Sequence, residues 1–301
     1  MSGDANHVRV VEVGPRDGLQ NEARIVPTAV KIELIERLAA CGLQTVEAGS
    51  FVSPEWVPQM ADTQRVLSLL KPSPGVSYPV LVPNMRGLQD ALAAGVAEIA
   101  VFTAASDAFN RKNINASIDE SLERLRPVVA EALAQKLRVR AYVSTVLGCP
   151  YQGAVALSDV VRVARALMEM GCYEISLGDT IGIGTPGKAR QMLRACTAEI
   201  PVERLALHFH DTYGQALANV YACLGEGARV VDASVSGLGG CPYANGASGN
   251  VATEDLVYML AGLGFDTGVD LGQLIETARW ISAALERTPA GRLARIARKV
   301  A

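Results

Sequence analysis

Leu205-Ala206-Leu207-His208-Phe209-His210-Asp211 is the stretch from which the fold of this 301-residue chain can be read. Its apolar run is short enough for a strand, and it turns polar only at its C-terminal end. On a strand, residues i and i+2 face the same way. The two imidazoles therefore project together and can grip one metal ion. A pair of hydrogen-bonded core histidines would give the same pattern. The chain has only three histidines, so two of them on one strand face is a concentrated signal.

Seven further apolar runs resemble this one. With it they occupy residues 8–13, 45–48, 78–82, 98–103, 138–144, 173–177, 205–210 and 230–235. The mean spacing is roughly 32 residues, the size of one strand–helix unit. The runs are apolar on both faces, as in a parallel sheet covered on both sides. Amphipathic helices are expected between them, at 28–41, 117–134, 158–170, 186–198, 214–224 and 253–263, with a last helix at 271–285. Ser117 and Glu120 form a capping-box pattern, Ser158 reads as a cap, and Pro127 is expected to kink or interrupt its helix. No linker or change of composition divides the chain. Residues 1–301 are therefore expected to form a single catalytic domain, an α/β TIM (β/α)8 barrel with a short C-terminal helical extension. An open doubly wound sheet is the competitor. It would more often carry G-x-G-x-x-G after its first strand, which Val13-Gly14-Pro15-Arg16-Asp17-Gly18 does not match.

Composition narrows the function. Half of the residues are hydrophobic and 5% are aromatic, which suits an aliphatic core rather than an aromatic cage. A net charge of −3 gives no global positive field, so nucleic acid is not an expected partner. The basic run Arg292, Arg295, Arg298 and Lys299 reads as a solvated helix face. No apolar stretch reaches ~18 residues and the N-terminus lacks a signal-peptide pattern, so no membrane association is expected. The six cysteines form no C-x-x-C pair. A reduced, cytoplasmic protein is the expectation.

In such barrels, chemistry gathers at the C-terminal ends of the strands. Those ends carry Arg16 and Asp17, Glu47, Ser144 and Thr145, Asp179, His208 and His210. Strand eight then runs into a glycine-rich stretch, residues 236–250, that holds Cys241 and reads as a lid bringing a thiol over the mouth. A simple turn before the last barrel helix is the alternative. Two imidazoles alone would suit zinc. Adding carboxylate and amide oxygens shifts the balance toward Mg²⁺ or Mn²⁺, and sequence leaves the choice open.

Several longer motifs carry a resemblance. They are Val11-Glu12-Val13-Gly14-Pro15-Arg16-Asp17-Gly18-Leu19-Gln20-Asn21-Glu22, Ser50-Phe51-Val52-Ser53-Pro54, Gly148-Cys149-Pro150-Tyr151, Ser176-Leu177-Gly178-Asp179-Thr180-Ile181-Gly182, His208 to Ala216, and Gly237 to Pro242. Together they resemble the 3-hydroxy-3-methylglutaryl-CoA lyase family, of bacterial type, over residues 8–285. The resemblance implies a metal-dependent lyase that cleaves this thioester to acetyl-CoA and acetoacetate, in leucine degradation and ketone body metabolism. It implies Asp17, His208, His210 and Asn250, rather than Asn245, as ligands of a divalent metal (Mg²⁺ or Mn²⁺). It implies Arg16 beside the metal, Cys241 as the lid thiol, and Glu47 and Asp179 close by. On that basis Cys241, Arg16, Asp17 and Glu47 are the expected catalytic set. Arg16, Gln20, Asp179, Lys112 and Asn113 are the expected contacts to an acyl-CoA, the last two because Arg111 to Asn115 is basic and amide-rich. Relatives suggest a homo-oligomer, a dimer or tetramer. A lyase for a longer branched 3-hydroxyacyl-CoA, derived from an isoprenoid, would use the same catalytic set. A condensing enzyme related to isopropylmalate synthase shares the arginine–aspartate start and the H-x-H pair. A metal-stabilised structural protein would leave Arg16 and Cys241 without a purpose.

Overall fold

The computed structural model describes residues 6–240 and 249–296. Nine parallel segments alternate with helices: β1 (Arg9–Glu12), β2 (Thr45–Val46), β3 (Gly49–Ser50), β4 (Val80–Leu81), β5 (Glu98–Ala104), β6 (Arg138–Ser144), β7 (Glu174–Asp179), β8 (Leu205–Phe209) and β9 (Val230–Ala233). They pair in the order β2-β1-β9-β8-β7-β6-β5-β4-β3. The two ends of that order, β2 and β3, are halves of one strand broken at Glu47-Ala48. Glu47 N donates to Glu12 O on one side, and Ala48 N donates to Pro79 O on the other. The sheet therefore closes with eight strand positions, the (β/α)8 barrel that the eight apolar runs predict.

The helices cover the outer face. α1 (Thr28–Ala40) buries Leu34, Ile35 and Leu38 in the same core as Val10 and Val46. α5 (Ile118–Ala134) carries the predicted capping box between Ser117 and Glu120. It runs through Pro127 as one continuous helix, so the interruption that was one of the two outcomes expected there does not occur. α6 (Leu157–Glu169) starts one residue before Ser158. Ala156 holds the cap position and no side chain caps the helix. Three helices were not legible in the periodicity: α2 (Thr63–Leu69), α3 (Met85–Ala93) and α4 (Asp107–Ile114). α7 (Pro186–Thr197), α8 (Ala216–Leu224), α9 (Thr253–Gly262) and α10 (Leu271–Ala284) fall where the pattern puts them. A short α11 (Arg292–Arg295) follows. Its free N–H groups are capped by Asp255, which accepts from Arg292 N and Leu293 N at 2.8 and 2.9 Å. Arg292 and Arg295 are exposed, as expected of a solvated basic face, while Arg292 lies 3.9 Å from Asp211 and Arg295 bonds Pro289 O. Arg298 and Lys299 lie outside the described residues. No helix among the described residues is long and apolar enough to cross a membrane.

Candidate metal site

Local backbone chemistry sets the first part of the site. After β1 the chain makes a tight five-residue turn, Gly14–Gly18, in which the N–H groups of Arg16, Asp17 and Gly18 all converge on Val13 O. Two glycines make the turn fit. A Cβ on Gly14 would lie 2.5 Å from Glu12 Oε1, and one on Gly18 would lie 2.6 Å from Ser234 Oγ. Glu12 anchors the turn. Its buried carboxylate accepts from Gly14 N and Val235 N at 2.7 and 2.9 Å, and from Thr253 Oγ1 at 2.7 Å. The ends of β1 and β9 are thereby tied together. Arg16 and Asp17 are thrown over the barrel mouth as adjacent, opposite charges.

Arg16 is almost fully buried. Its Nε donates to Glu47 Oε2 and its guanidinium to Asp17 Oδ1, both at 2.7 Å. Asp17 Oδ2 faces the two histidines. His208 Nε2 and His210 Nε2 are 3.3 Å apart, and they lie 3.9 and 4.0 Å from Asp17 Oδ2. The circumradius of a triangle with these edges is about 2.2 Å, close to the ~2.0–2.2 Å of metal–nitrogen and metal–oxygen bonds. One cation at its centre would touch all three atoms at bonding distance. Among the described residues this is the one Asp/His/His cluster that could hold an ion. Asn250, joined to His210 by a backbone bridge, places its side-chain amide 2.8 Å from Asp17 Oδ2. A half-turn of that amide presents its oxygen instead.

The electrostatics suit a cation. Burial works to raise Asp17, yet the Arg16 guanidinium and both imidazoles hold it well below the usual carboxylate range. Burial, helped by His208, pushes His210 down to about 4, so the ring is neutral at pH 7 with a free lone pair. Its Nδ1 has no partner among the described residues. Burial raises Glu47 against the pull of Arg16, and its Oε1 has no partner among the described residues. Burial lifts Asp179 to about 6 although the N–H of Gly184 bonds Oδ2, and its Oδ1 is likewise unpartnered among the described residues.

The structure brings Arg16, Asp17, Glu47, His208, His210 and Asn250 together, and buries Asp179 at the end of β7, where it pairs with β8. Gln20 is half-buried just past the turn. Lys112 and Asn113 are exposed on α4 after β5, at the mouth end of the barrel. Cys241 and Asn245 lie outside the described residues. Sequence reasoning missed Tyr142, whose ring is flanked by the Arg16 and Arg140 guanidinium groups at 5.3 and 5.0 Å and meets His208 edge-on. It also missed Glu12 and Asp232. Their signal was a charge standing alone inside an apolar strand, in Val10-Val11-Glu12-Val13 and Val230-Val231-Asp232-Ala233.

A second acidic cluster braces the entry to the glycine-rich stretch. Ser236 is held with φ of 60°, a left-handed conformation that costs a non-glycine residue free energy. Its N–H bonds Glu254 Oε2 at 2.9 Å, its hydroxyl bonds Ser282, and its carbonyl accepts from Ala290 N and Gly291 N. Burial pushes Glu254 up to about 8 and Glu12 up to about 7. Both lie above the ordinary 4.5, so the folded protein binds protons that the unfolded chain has released. Stability contributed by these protons is lost as pH rises from about 5 to about 8. Thermal melts of the wild type should shift to lower temperature across that window. Glu254→Gln, which keeps the acceptor to Ser236 N, should flatten the slope. A variant with an unchanged slope would remove Glu254 as its source.

A parallel barrel with an Asp/His/His cluster able to hold a cation at its mouth, next to a buried arginine, defines a class: TIM-barrel proteins with a candidate metal site at the C-terminal ends of their strands. Comparison with known proteins narrows it. The HMGL-like family profile matches residues 7–281, and the chain belongs to that family. It is 61% identical over 280 residues to the mitochondrial hydroxymethylglutaryl-CoA lyase of Gallus gallus, covering 93% of this chain and 94% of that protein. It is 56% identical to the 3-hydroxy-3-isohexenylglutaryl-CoA/hydroxy-methylglutaryl-CoA lyase of Pseudomonas aeruginosa, over 96% of each chain. Among solved structures it superposes, with TM-score 0.94 and 36% identity, on an HMG-CoA lyase from Acinetobacter baumannii in complex with coenzyme A and 3-methylmalate. That match covers 100% of this chain and 98% of the other.

Proposed function

We propose that this chain is a lyase that cleaves 3-hydroxy-3-methylglutaryl-CoA to acetyl-CoA and acetoacetate. The observation that carries the reading is the triangle formed by Asp17 Oδ2, His208 Nε2 and His210 Nε2, set beside the Arg16–Glu47 pair. Asp17, His208, His210 and Asn250 would hold the ion. Two nitrogens with a carboxylate and an amide oxygen, and room for further oxygens, favour Mg²⁺ or Mn²⁺ over four-coordinate zinc. When bound, the ion acidifies a coordinated hydroxyl and polarises its oxygen.

The chain's own groups divide the remaining steps. The tertiary hydroxyl of the substrate must lose its proton. Glu47, with its raised pKa and an Oε1 that no described residue bonds, is better suited to accept it than Asp17, which is held ionised by three positive or dipolar neighbours. The C2–C3 bond then breaks. Its electron pair becomes the enolate of the acetyl thioester, while C3 becomes the ketone carbon of acetoacetate. Arg16, of fixed charge, holds the enolate oxygen. Cys241 returns a proton to the enolate carbon, since a thiol of pKa ~8.5 is mostly protonated at neutral pH. Asp179 and Gln20 would contact the acyl part, and Lys112 and Asn113 the CoA. One barrel would suffice as the catalytic unit.

Mass-spectrometric product analysis with this thioester, with and without Mg²⁺ or Mn²⁺, tests the reading. Metal-dependent acetoacetate release is expected, and full turnover by a metal-stripped sample would refute it. Cys241→Ala should lower kcat by about 10²-fold with little change in KM, the usual worth of a positioned acid. A second substrate is favoured by the Pseudomonas aeruginosa relative, whose name includes an isohexenyl analogue. Comparing kcat/KM for the methyl and isohexenyl thioesters decides which acyl chain the pocket prefers.

A further inference from the structure

We propose that Asp232 is a positioning residue for His208, and that Arg140 holds Asp232 in place for that task. This rests on the reading of His208 as an ion ligand. His208 Nδ1 lies 3.2 Å from Asp232 Oδ2. Asp232, on β9, is wholly buried. The same oxygen accepts from Ser176 Oγ at 2.7 Å, and Arg140 forks onto both carboxylate oxygens at 2.6 and 3.1 Å. Arg140 continues downward through Nε to Glu174 Oε1 at 2.7 Å, and Glu174 Oε2 meets Arg9 at the foot of β1. A chain of alternating charges thus runs up the inside of the barrel: Arg9, Glu174, Arg140, Asp232, His208.

Charges in this place need a reason. Barrel interiors are ordinarily filled by Val, Ile and Leu. Burying an ion pair carries a large desolvation cost for each ion, and an apolar pair of equal volume would fill the space as well. What the apolar pair would lack is an anion with two arginine bonds and a serine bond that fix its position, set against one particular ring nitrogen. An anion at Nδ1 requires a hydrogen on Nδ1. The lone pair is then on Nε2, the atom that faces His210 Nε2 and Asp17 Oδ2. A carboxylate behind a metal-bound imidazole sets the tautomer, fixes the ring plane and raises the basicity of the ligand.

Two measurements test this. The first uses the wild type without metal. With only three histidines, nitrogen-15 spectra of histidine-labelled protein resolve each ring. His208 should carry its hydrogen on Nδ1, and a hydrogen on Nε2 would overturn the proposal. The second is Mn²⁺ titration followed by electron paramagnetic resonance. Asp232→Asn, folded by circular dichroism, should bind Mn²⁺ about 10- to 100-fold more weakly than wild type. Equal affinity in the two proteins would overturn the positioning role while leaving the ion site intact. A wild type that binds no Mn²⁺ would instead sink the ion-site reading, and this proposal with it. Should Asp232→Asn fail to fold because Arg140 is left unpaired, the wild-type tautomer alone decides.

Discussion

His210→Ala is expected to lower kcat by about 10⁴-fold and to abolish tight Mn²⁺ binding, because the ion contributes several kcal/mol of transition-state stabilisation. The fold should survive. His210 stands just past the end of β8 with Nδ1 unpartnered among the described residues, and Asp17, 4.0 Å from its Nε2, keeps its bonds from Arg16 and Asn250 when His210 is removed. This separates it from His208, whose loss would leave the Asp232 carboxylate without one of its partners. The comparison is sharpened by adding imidazole. A small ligand that enters the vacated space should restore part of the metal affinity. Kinetics at saturating Mg²⁺ and Mn²⁺, with binding measured directly, check the prediction. Retention of more than a tenth of wild-type kcat would remove His210 from the ion site.

The barrel was legible because its strands are buried on both faces. Eight runs of Val, Ile, Leu and Ala stand out against amphipathic helices whatever the surrounding detail. The boundaries were less so. The fourth segment shrinks to Val80–Leu81 because Pro79 and Pro83 have no N–H to give to a ladder. α3 was missed for a related reason. It starts directly after Pro83, at a cap formed by Asn84, and a proline followed by a polar residue reads as a turn. The Ser158 cap failed because Ala156 already holds that position. Pro127 is accommodated inside α5, a helix fixed by its capping box at one end and by Leu122, Leu125, Val128 and Val129 in the core.

Among the site residues, those at strand ends were legible from the topology alone, since a polar group that ends an apolar strand of a parallel barrel must face the mouth. Asp17, Glu47, Asp179 and the two histidines all follow that rule. Asn250 does not, because it stands beyond the glycine-rich stretch. Only the backbone bridge to His210 shows why it and Asp17 meet. The interior charges Arg140 and Asp232 lie within strands and Glu174 opens β7, and their partners are set by register. Val11 and His208 both pair with Asp232, and Arg140 pairs with Glu174. A single sequence does not carry register, so the charge chain beneath the site appears only once the sheet is closed.

Arg16→Gln is expected to lower kcat by about 10³-fold, in line with the loss of one preorganised donor set at a developing oxyanion. Its cost to stability should also be large, for a reason independent of chemistry. Arg16 is the cation between Glu47 and Asp17, at 2.7 Å from each, with Glu47 fully buried and Asp17 half-buried. Removing it leaves a buried carboxylate beside a half-buried one. Breaking a buried pair in this way typically costs about 3–5 kcal/mol. Arg16→Lys separates the two effects. Lysine keeps the charge, so most of the stability should return. It lacks the planar fork that bonds Glu47 through Nε and Asp17 through the terminal nitrogen together, so most of the kcat should not. Melting temperature and steady-state kinetics on the three proteins give the answer. If kcat recovered in step with stability, Arg16 would be a structural clamp for the two carboxylates, and the enolate oxygen would need another donor.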